Sequence, residues 1–309
     1  MIQRLTVKSP HIPVLPAEIE NLFSKIKEGI IVDCTVGYGG HSALILEANP
    51  SIEMICIDQD DEALAFSKTR LAPYHDRVTF LKGRFASLMP SLKGKNIRGI
   101  LADIGVSSLH LDKKSRGFGF ESDSLDMRMD SHHDISAYEV VNGYSEEQLA
   151  RIFREYGEVR ESKKLASLIV QARSQKPFSS AKELSAFIAQ HLYAKKNHPA
   201  TLAFQALRIE VNDELGELKT LLENIKHLQL SNCLVAIISF HSLEDRIVKQ
   251  TFKAWSERCI CPDEVLRCHC GANHDIGSIV TKKPIIPSGE EIEENPRSRS
   301  SKLRVFHVR

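Results

Sequence analysis

The sequence has no apolar run that approaches the roughly 20 residues of a membrane-spanning helix. It also lacks the apolar core of a secretory signal near its start. Its seven cysteines are few and odd in number for 309 residues, which argues against a disulfide framework. The 42% hydrophobic and 26% charged residues exclude disordered and fibrous chains. We therefore expect a cytoplasmic globular protein with no membrane segment and, from its length, about two domains.

The sequence also lacks an excess of positive or negative charge, since its net charge is only +1. This balance conceals an uneven distribution. Residues 111–159 are rich in acidic side chains, whereas residues 160–208 and 297–309 are rich in basic ones. A basic face suits a polyanionic partner, but most such runs are ordinary solvated helix faces. Charge alone therefore leaves a nucleic-acid partner and a plain surface equally open.

Short apolar segments alternate with helical patterns over residues 29–103. This alternation is typical of βαβ units, which form a parallel sheet with right-handed crossovers. The pattern returns after residue 212 with an eight-residue apolar run and a helix. We predict strands over residues 30–33, 52–58, 78–81, 99–103 and 233–240, helices over 41–47, 60–71, 85–92 and 242–255, and paired late strands near 279–281 and 303–308.

Strand signals are absent between residues 111 and 212. Ser145 and Ser180 each precede apolar residues at helical spacing, which is typical of helix N-caps. Further helices are predicted over residues 163–173 and from Pro199 onward. One α/β domain over residues 1–110 and 213–309, interrupted by an all-helical insert over 111–212, fits this pattern better than two consecutive domains.

A glycine-rich turn follows the first strand, and an acid ends the second. Glycines let a backbone approach a ligand closely, and free N–H groups at a helix start can meet its polar atoms. Asp58 stands 21 residues after Gly37, where an acid can bind a ribose diol. The dinucleotide fingerprint fails because Ser42 replaces its third glycine. The remaining acid and G-x-G-G pattern resembles the first motif of S-adenosylmethionine-dependent methyltransferases; a turn without a ligand is the other alternative.

Asp103 ends the fourth predicted strand, at the sheet edge where open α/β sheets bind ligands. Amino-group methyltransferases carry a polar residue at this point. Such an enzyme mainly orients the nitrogen lone pair and accepts the amino hydrogens. The alternative is that Asp103 merely caps a helix.

Four cysteines form two C-x-C pairs within twelve residues: Cys259, Cys261, Cys268 and Cys270. In a reducing compartment such a set suggests a structural zinc site, which needs four ligands in tetrahedral geometry. His269 and His274 are alternative ligands. A loop of free thiols is an equally open alternative.

Eleven motifs occur in order along nearly the whole chain, and together they are specific although each alone is weak. They are HIPVL (residues 11–15), DCTVGYGGH (33–41), IDQD (57–60), GRF (83–85), LADIGVSS (101–108), RGFGF (116–120), LDMRMD (125–130), YGE (156–158), HPATLAFQALRIEVNDEL (198–215), SFHSLEDRIVK (239–249) and NPRSRSSKLRV (295–305). With them the chain resembles the bacterial small-subunit ribosomal RNA cytosine-N4 methyltransferases of the MraW or RsmH type. The resemblance implies a Rossmann-like class I methyltransferase sheet with an inserted all-helical domain for substrate recognition.

The same resemblance implies S-adenosylmethionine as the cofactor and assigns roles to single residues. The turn residues Gly39, Gly40 and His41 would contact the cofactor, and Asp58 would bind its ribose. The adenine would lie near Phe85, with Asp103 beside the adenine or the transfer centre. His110 stands where the family usually has glutamine; a neutral histidine can still donate one hydrogen bond.

The substrate implied by the resemblance is the N4 amino group of a cytidine in the decoding centre of 16S ribosomal RNA, within the small ribosomal subunit. The base must be exposed for its amine to reach the methyl group. We expect Ser239 and His241 to shape the cytosine pocket next to the catalytic Asp103, although a histidine at a strand end is more often a structural partner. Two alternatives remain, a nicotinamide-dependent dehydrogenase and a non-catalytic RNA-binding assembly factor. The sequence predicts no oligomeric state.

Overall fold

The computed structural model describes residues 12–106, 111–195, 198–262, 265 and 267–309. They form two compact units, one from the described parts of Met1–Gly105 and Glu217–Arg309 and the other from those of Val106–Gly216. Within the described residues, no helix is both long enough and apolar enough to cross a membrane.

A seven-stranded sheet in the order β3-β2-β1-β4-β5-β7-β6 forms the centre of the first unit. The first five strands are parallel, while β7 runs antiparallel to β5 and β6. The predicted Rossmann-like α/β fold is therefore confirmed. The strands are β1 (Gly29–Asp33), β2 (Ile52–Asp58), β3 (Val78–Lys82), β4 (Ile97–Asp103), β5 (Cys233–Ser239), β6 (Gly277–Ile279) and β7 (Lys302–Val308).

Helices cover both faces of this sheet, so its central strands are apolar on both sides. One face packs with Trp255 and Phe252, and the other with Phe23 and Leu46. The helices are α1 (Pro16–Phe23), α2 (Gly40–Ala48), α3 (Asp61–Arg70), α4 (Phe85–Leu88), α10 (Glu214–His227, whose first residues belong to the second unit), α11 (Ser242–Ser256) and α12 (Gly289–Glu294).

The strand order reverses between β1 and β4, because β2 and β3 follow on one side and β5 on the other. In open α/β sheets, ligands bind outside the carboxyl ends of the strands at this reversal. Asp33 and Asp103 end the two strands that border it, and Asp58 ends the next strand, β2. Three carboxyl groups are thus brought to one edge of the sheet.

The described part of the second unit is helical, as predicted for the insert. Ser136, Ser145 and Ser180 cap three of its helices through their side-chain oxygens. Fully buried Phe153 and Leu207 belong to its own hydrophobic core. The helices are α5 (Ala137–Gly143), α6 (Glu146–Glu155), α7 (Ser162–Gln175), α8 (Ala181–His191) and α9 (Thr201–Asn212).

Two local predictions differ from the structure. The helix predicted over residues 85–92 is interrupted: α4 ends at Leu88, and a 3₁₀ turn follows over Met89–Leu92. Pro90 explains this change, because it has no N–H to donate to the preceding turn. The late strand predicted near residues 279–281 begins earlier, at Gly277.

Candidate functional site

The glycine turn (residues 34–39) joins β1 to α2 at the ligand-binding edge of the sheet. Gly37 and Gly39 have φ values of 50° and 70°, in the left-handed region that favours glycine. The Gly39 N–H donates to the Val36 carbonyl at 2.7 Å. A Cβ added to Gly40 would lie 3.2 Å from Cβ of Pro13, closer than most contacts of that kind. The turn is therefore tight, and side chains larger than hydrogen would distort it.

Asp33 supports the turn from inside the fold. Its side chain is buried and accepts hydrogen bonds from the Ser42 hydroxyl at 2.6 Å and the Thr35 N–H at 3.1 Å. Burial raises the pKa of Asp33 to about 6, although both hydrogen bonds oppose that shift. Ser42 stands where the dinucleotide fingerprint would have its third glycine, and here it binds Asp33 instead.

Asp58 is held in place by two backbone groups. Its Oδ2 accepts the Gly37 N–H at 2.8 Å, and its Oδ1 accepts the Asp60 N–H at 2.9 Å. A carboxylate oxygen can accept more than one hydrogen bond, which suits this half-buried group to binding a ligand hydroxyl as well. The side chain is therefore oriented before any ligand arrives.

Phe85 begins α4, directly after the end of β3. The Gly83 N–H donates to the Asp58 carbonyl at 2.9 Å, which ties this segment to the end of β2. Glu217 accepts the Ala86 N–H at 3.3 Å and lies 2.9 Å from Nε of Arg84. Half-buried Phe85 is thus positioned from both sides.

Asp103 carries a buried oxygen atom that has no hydrogen-bond partner among the residues that the structure describes. This atom is Oδ1, while Oδ2 lies 3.7 Å from Nδ1 of His41. Its N–H donates to Oγ1 of Thr35 at 2.8 Å. Desolvation by burial, and then the charges of Asp33 and Glu244, raise the pKa of Asp103 to about 8. A pKa of about 8 favours the protonated form of this carboxyl group at neutral pH. Among the residues that the structure describes, it caps no helix.

His41 has a defined tautomer when neutral. Its Nε2 lies 2.7 Å from the Val14 carbonyl oxygen, which can only accept, so Nε2 carries the proton. The lone pair of Nδ1 then faces Oδ2 of Asp103. The first turn of α2 thereby brings a buried imidazole beside the Asp103 carboxyl group.

His241 caps α11 immediately after β5. Its Nδ1 accepts the Glu244 N–H at 3.4 Å, and its Nε2 lies 3.0 Å from Oε1 of Glu244. Glu244 is only 1% exposed, and its Oε2 accepts the N–H groups of Phe240 at 2.8 Å and His241 at 3.1 Å. Glu244 therefore orders the turn between β5 and α11.

The sequence interpretation missed Glu244, although its position resembles a capping box, in which a cap residue is followed three positions later by glutamate. Ser239, the last residue of β5, makes its hydrogen bond to β7. It is 2% exposed, and its hydroxyl donates to the Lys302 carbonyl of β7 at 3.4 Å. His110, which stands at the usual glutamine position, lies outside the described residues.

The turns after β4 and β5 pack against each other. Gly105 has a φ of 128°, and a Cβ added there would lie 3.2 Å from the Phe240 ring. Phe240 is in turn held by Glu244 through its N–H. The structure therefore brings Asp103, His41 and Glu244 to one edge of the sheet.

The four predicted zinc ligands also come together. The four sulfur atoms all lie within 4.8 Å of one another; they belong to Cys259, Cys261, Cys268 and Cys270. His274 is engaged elsewhere, because its Nε2 lies 2.8 Å from the Cys270 carbonyl oxygen.

Comparison with known proteins gives consistent matches. The family model described as the MraW methylase family matches residues 8–309. A ribosomal RNA small subunit methyltransferase H from Aliarcobacter butzleri is 60% identical over 297 residues, which cover 96% of this chain and 98% of that protein. Proteins with the same name from Wolinella succinogenes and a Nitratiruptor species are 54% and 56% identical, each alignment covering 98% of this chain and 100% of the relative.

Proposed function

The chain belongs to the MraW methylase family, and we propose that it transfers a methyl group from S-adenosylmethionine to small-subunit ribosomal RNA. The names of its relatives support this proposal. The observation that carries it is the site at the reversal of strand order, where the glycine turn, Asp58 and Asp103 meet one sheet edge. An RNA substrate of this kind implies a cytoplasmic protein.

The residues at this edge fit the proposed cofactor. Gly39, Gly40 and His41 would contact its methionine part, where the turn exposes backbone rather than side chains. Asp58 would bind the ribose diol through its carboxylate, which two backbone N–H groups orient. Half-buried Phe85 would lie against the adenine. When bound, the cofactor supplies a methyl group on a positively charged sulfonium, and the buried carboxyl group of Asp103 would offer a matching negative charge once it is ionised.

For the acceptor we propose the N4 amino group of a cytidine in the decoding centre of 16S ribosomal RNA. Ionised Asp103 would accept a hydrogen bond from that amino group and so aim the nitrogen lone pair at the methyl carbon. A positive charge nearby favours the ionised carboxylate over the protonated form that prevails in the free protein. The base must leave its stack to reach this buried oxygen.

His241 and Ser239 are our candidates for shaping the cytosine pocket. The Nδ1 of His241 accepts the Glu244 N–H, and its Nε2 lies 3.0 Å from the Glu244 carboxylate, so the ring is oriented before the base arrives. Ser239 binds the backbone of β7 and would act by holding the end of β5. We therefore propose that both residues position the pocket wall, while Asp103 contacts the reacting amine.

The helical insert, over residues 111–212, is proposed to recognise the RNA. Its basic residues are concentrated after residue 160, and phosphate contacts from such side chains supply most of the affinity for RNA. No step of the reaction depends on the zinc ion that the four cysteines would hold between α11 and β6.

A nicotinamide-dependent dehydrogenase is the alternative from another enzyme class. It is disfavoured because Ser42, bound to Asp33, occupies the third glycine position of the dinucleotide fingerprint. A titration with NADH should show no change in cofactor fluorescence. A non-catalytic assembly factor would bind RNA equally well but would leave it unmethylated.

The test is mass spectrometry of small-subunit RNA from cells with and without this protein. We expect one cytidine to lose a methyl group in the deletion strain. The wild-type gene should restore it, and a gene carrying Asp103→Ala should not. An identical methylation pattern in both strains would contradict the proposed reaction, and restoration by Asp103→Ala would contradict the role of Asp103.

A further inference from the structure

The cysteine segment (residues 259–270) lies between α11 and the edge strand β6. Two of its apolar side chains contribute little to burial, since Ile260 is 62% exposed and Val265 is 37% exposed. Cys259 and Cys268 are exposed as well. Hydrophobic packing of these residues is therefore a weak source of order, and another interaction must stabilise the conformation.

The sulfur atoms have the spacing of a tetrahedral metal site. The Sγ–Sγ distances are 3.5 Å between Cys259 and Cys268, 3.5 Å between Cys268 and Cys270, and 3.6 Å between Cys259 and Cys270. Four thiolates at the usual 2.3 Å from one zinc ion would be about 3.8 Å apart. All seven cysteines are free, so no disulfide accounts for these short separations.

The two C-x-C pairs exchange equivalent backbone hydrogen bonds. The N–H of Ile260, inside the first pair, points to Sγ of Cys270 at 3.4 Å. The N–H of His269, inside the second pair, points to Sγ of Cys261, also at 3.4 Å. Such N–H···S contacts stabilise negative charge on sulfur and orient metal-binding thiolates. Each C-x-C pair therefore donates a backbone N–H to one sulfur atom of the other pair.

We propose that the four cysteines bind one Zn²⁺ as a structural site that fixes the C-terminal end of α11 to the edge of the sheet. The four thiols release their protons, and the four sulfurs leave no open position for a substrate. Neither histidine is a ligand. His274 binds the Cys270 carbonyl, and His269 contributes its backbone N–H.

Backbone hydrogen bonds connect the proposed metal site to the helix that packs on the sheet. The His274 N–H donates to the Arg258 carbonyl at 3.1 Å, and the Ile276 N–H donates to the Trp255 carbonyl at 2.9 Å. Trp255 is the only tryptophan of the chain, and its ring centre lies 5.3 Å from that of Phe306 in β7. Loss of the metal should therefore change the surroundings of a single fluorescent residue.

The first experiment measures metal and thiols in the full-length protein, produced with zinc in the medium and purified without chelator or metal-affinity resin. We expect about one zinc per chain and four thiols that react with an alkylating agent only after a chelator removes the metal. Cobalt in place of zinc should give the visible absorption of a tetrahedral thiolate site. Absence of zinc with four freely reactive thiols, or a mass that shows disulfides, would overturn the proposal.

Variants separate ligands from neighbours. Cys261→Ser and Cys268→Ser should each bind at least tenfold less zinc at equal free metal, whereas His269→Ala should keep one zinc per chain. Chelation should shift Trp255 emission in the wild type and in His269→Ala. Unchanged emission after complete loss of zinc would refute the structural role, and zinc loss in His269→Ala would refute the all-cysteine ligand set. These readouts do not depend on methyl transfer.

Discussion

The carboxylate of Asp58 accepts the N–H of Gly37 at 2.8 Å, and this bond joins the end of β2 to the glycine turn that follows β1. The two residues are 21 positions apart, yet one hydrogen bond fixes both the turn and the acid. Because the same carboxylate would also bind the ribose, the shape of the turn and the affinity for the cofactor depend on one side chain.

Replacement of Asp58 should weaken cofactor binding. Asp58→Ala removes charge-assisted hydrogen bonds worth about 1.5–3 kcal/mol, so the affinity for S-adenosylmethionine should fall about 10- to 150-fold. Asp58→Asn keeps one acceptor and should lose less. Isothermal calorimetry measures both, with Asp61→Ala as the control, since exposed Asp61 pairs with Lys82. Equal affinity of Asp58→Ala and wild type would contradict the ribose assignment.

Asp103 should make the reaction depend on pH. Its pKa of about 8 means that the ionised form, which accepts the amine hydrogen, increases as pH rises through this value. We therefore expect kcat/KM to rise from pH 6, to reach half of its maximum near pH 8 and to level off above about pH 9. Cofactor binding at pH 7 should release a proton, which calorimetry in buffers of different ionisation enthalpy detects. A flat profile from pH 6 to 9 would contradict this assignment.

The raised pKa of Asp103 also makes the free energy of unfolding depend on pH. This dependence is opposite in sign to that caused by an ion-paired acid, whose pKa is lowered. Folded Asp103 keeps its proton up to about pH 8, whereas the unfolded chain loses it near the ordinary value of 3.8. The folded state therefore binds more protons in this window, so this group lowers the free energy of unfolding as pH rises from about 4 to 8. Asp103→Asn cannot ionise. Urea unfolding across this range should show that the stability of Asp103→Asn relative to wild type increases with pH.

Glu244→Gln should move the pH profile to lower values. The negative charge of Glu244 is one cause of the raised pKa of Asp103, after burial and Asp33. Glutamine keeps an oxygen that can accept the Phe240 and His241 N–H groups, so it removes the charge with little change of shape. The half-maximal pH of kcat/KM should fall. Glu257→Gln, on the exposed end of α11, is the control. A profile that stays at the wild-type position in Glu244→Gln would show that its charge does not reach Asp103.

The sheet and the glycine turn could be predicted from sequence because the central strands are short, largely apolar runs, and three of them, β1, β2 and β4, end in an aspartate. The environment of Asp103 could not be predicted from sequence. It depends on Asp33 and Glu244, which are distant in sequence and meet only at the carboxyl edge of the folded sheet. No role was assigned to Glu244 from sequence, because only the structure shows it buried against the turn after β5.

The short helices α1 and α12 were missed for a related reason. Each has fewer than nine residues, too few for apolar periodicity to stand out. They are tied together by contacts between chain ends: Glu291 accepts the Leu15 N–H at 2.8 Å, and Asn295 donates to the Ile12 carbonyl at 3.1 Å. No local sequence pattern predicts hydrogen bonds between residues that are more than 270 positions apart.

The basic residues of the insert differ in how available their side chains are to contact RNA. Arg173 is half-buried and donates to the carbonyls of Val141 and Tyr144, so it serves the fold of the insert. Lys176 is paired with Glu183 at 2.8 Å. Exposed Lys163 and Lys164 lie in the first turn of α7. The pair that Lys164 forms with Glu161 is exposed to solvent and contributes little stability.

Lys163→Ala combined with Lys164→Ala should therefore raise the dissociation constant for RNA and leave cofactor affinity unchanged. Removing one lysine–phosphate ion pair should reduce the slope of log K against log salt by about one unit, so the double variant should show a slope smaller by about two. RNA binding across a salt series and cofactor calorimetry on the same protein make the test. Lys253→Ala, an exposed lysine of α11, serves as the charge control. If the double variant matches wild type in both affinity and salt slope, these lysines only solubilise α7, and the RNA binds to another surface.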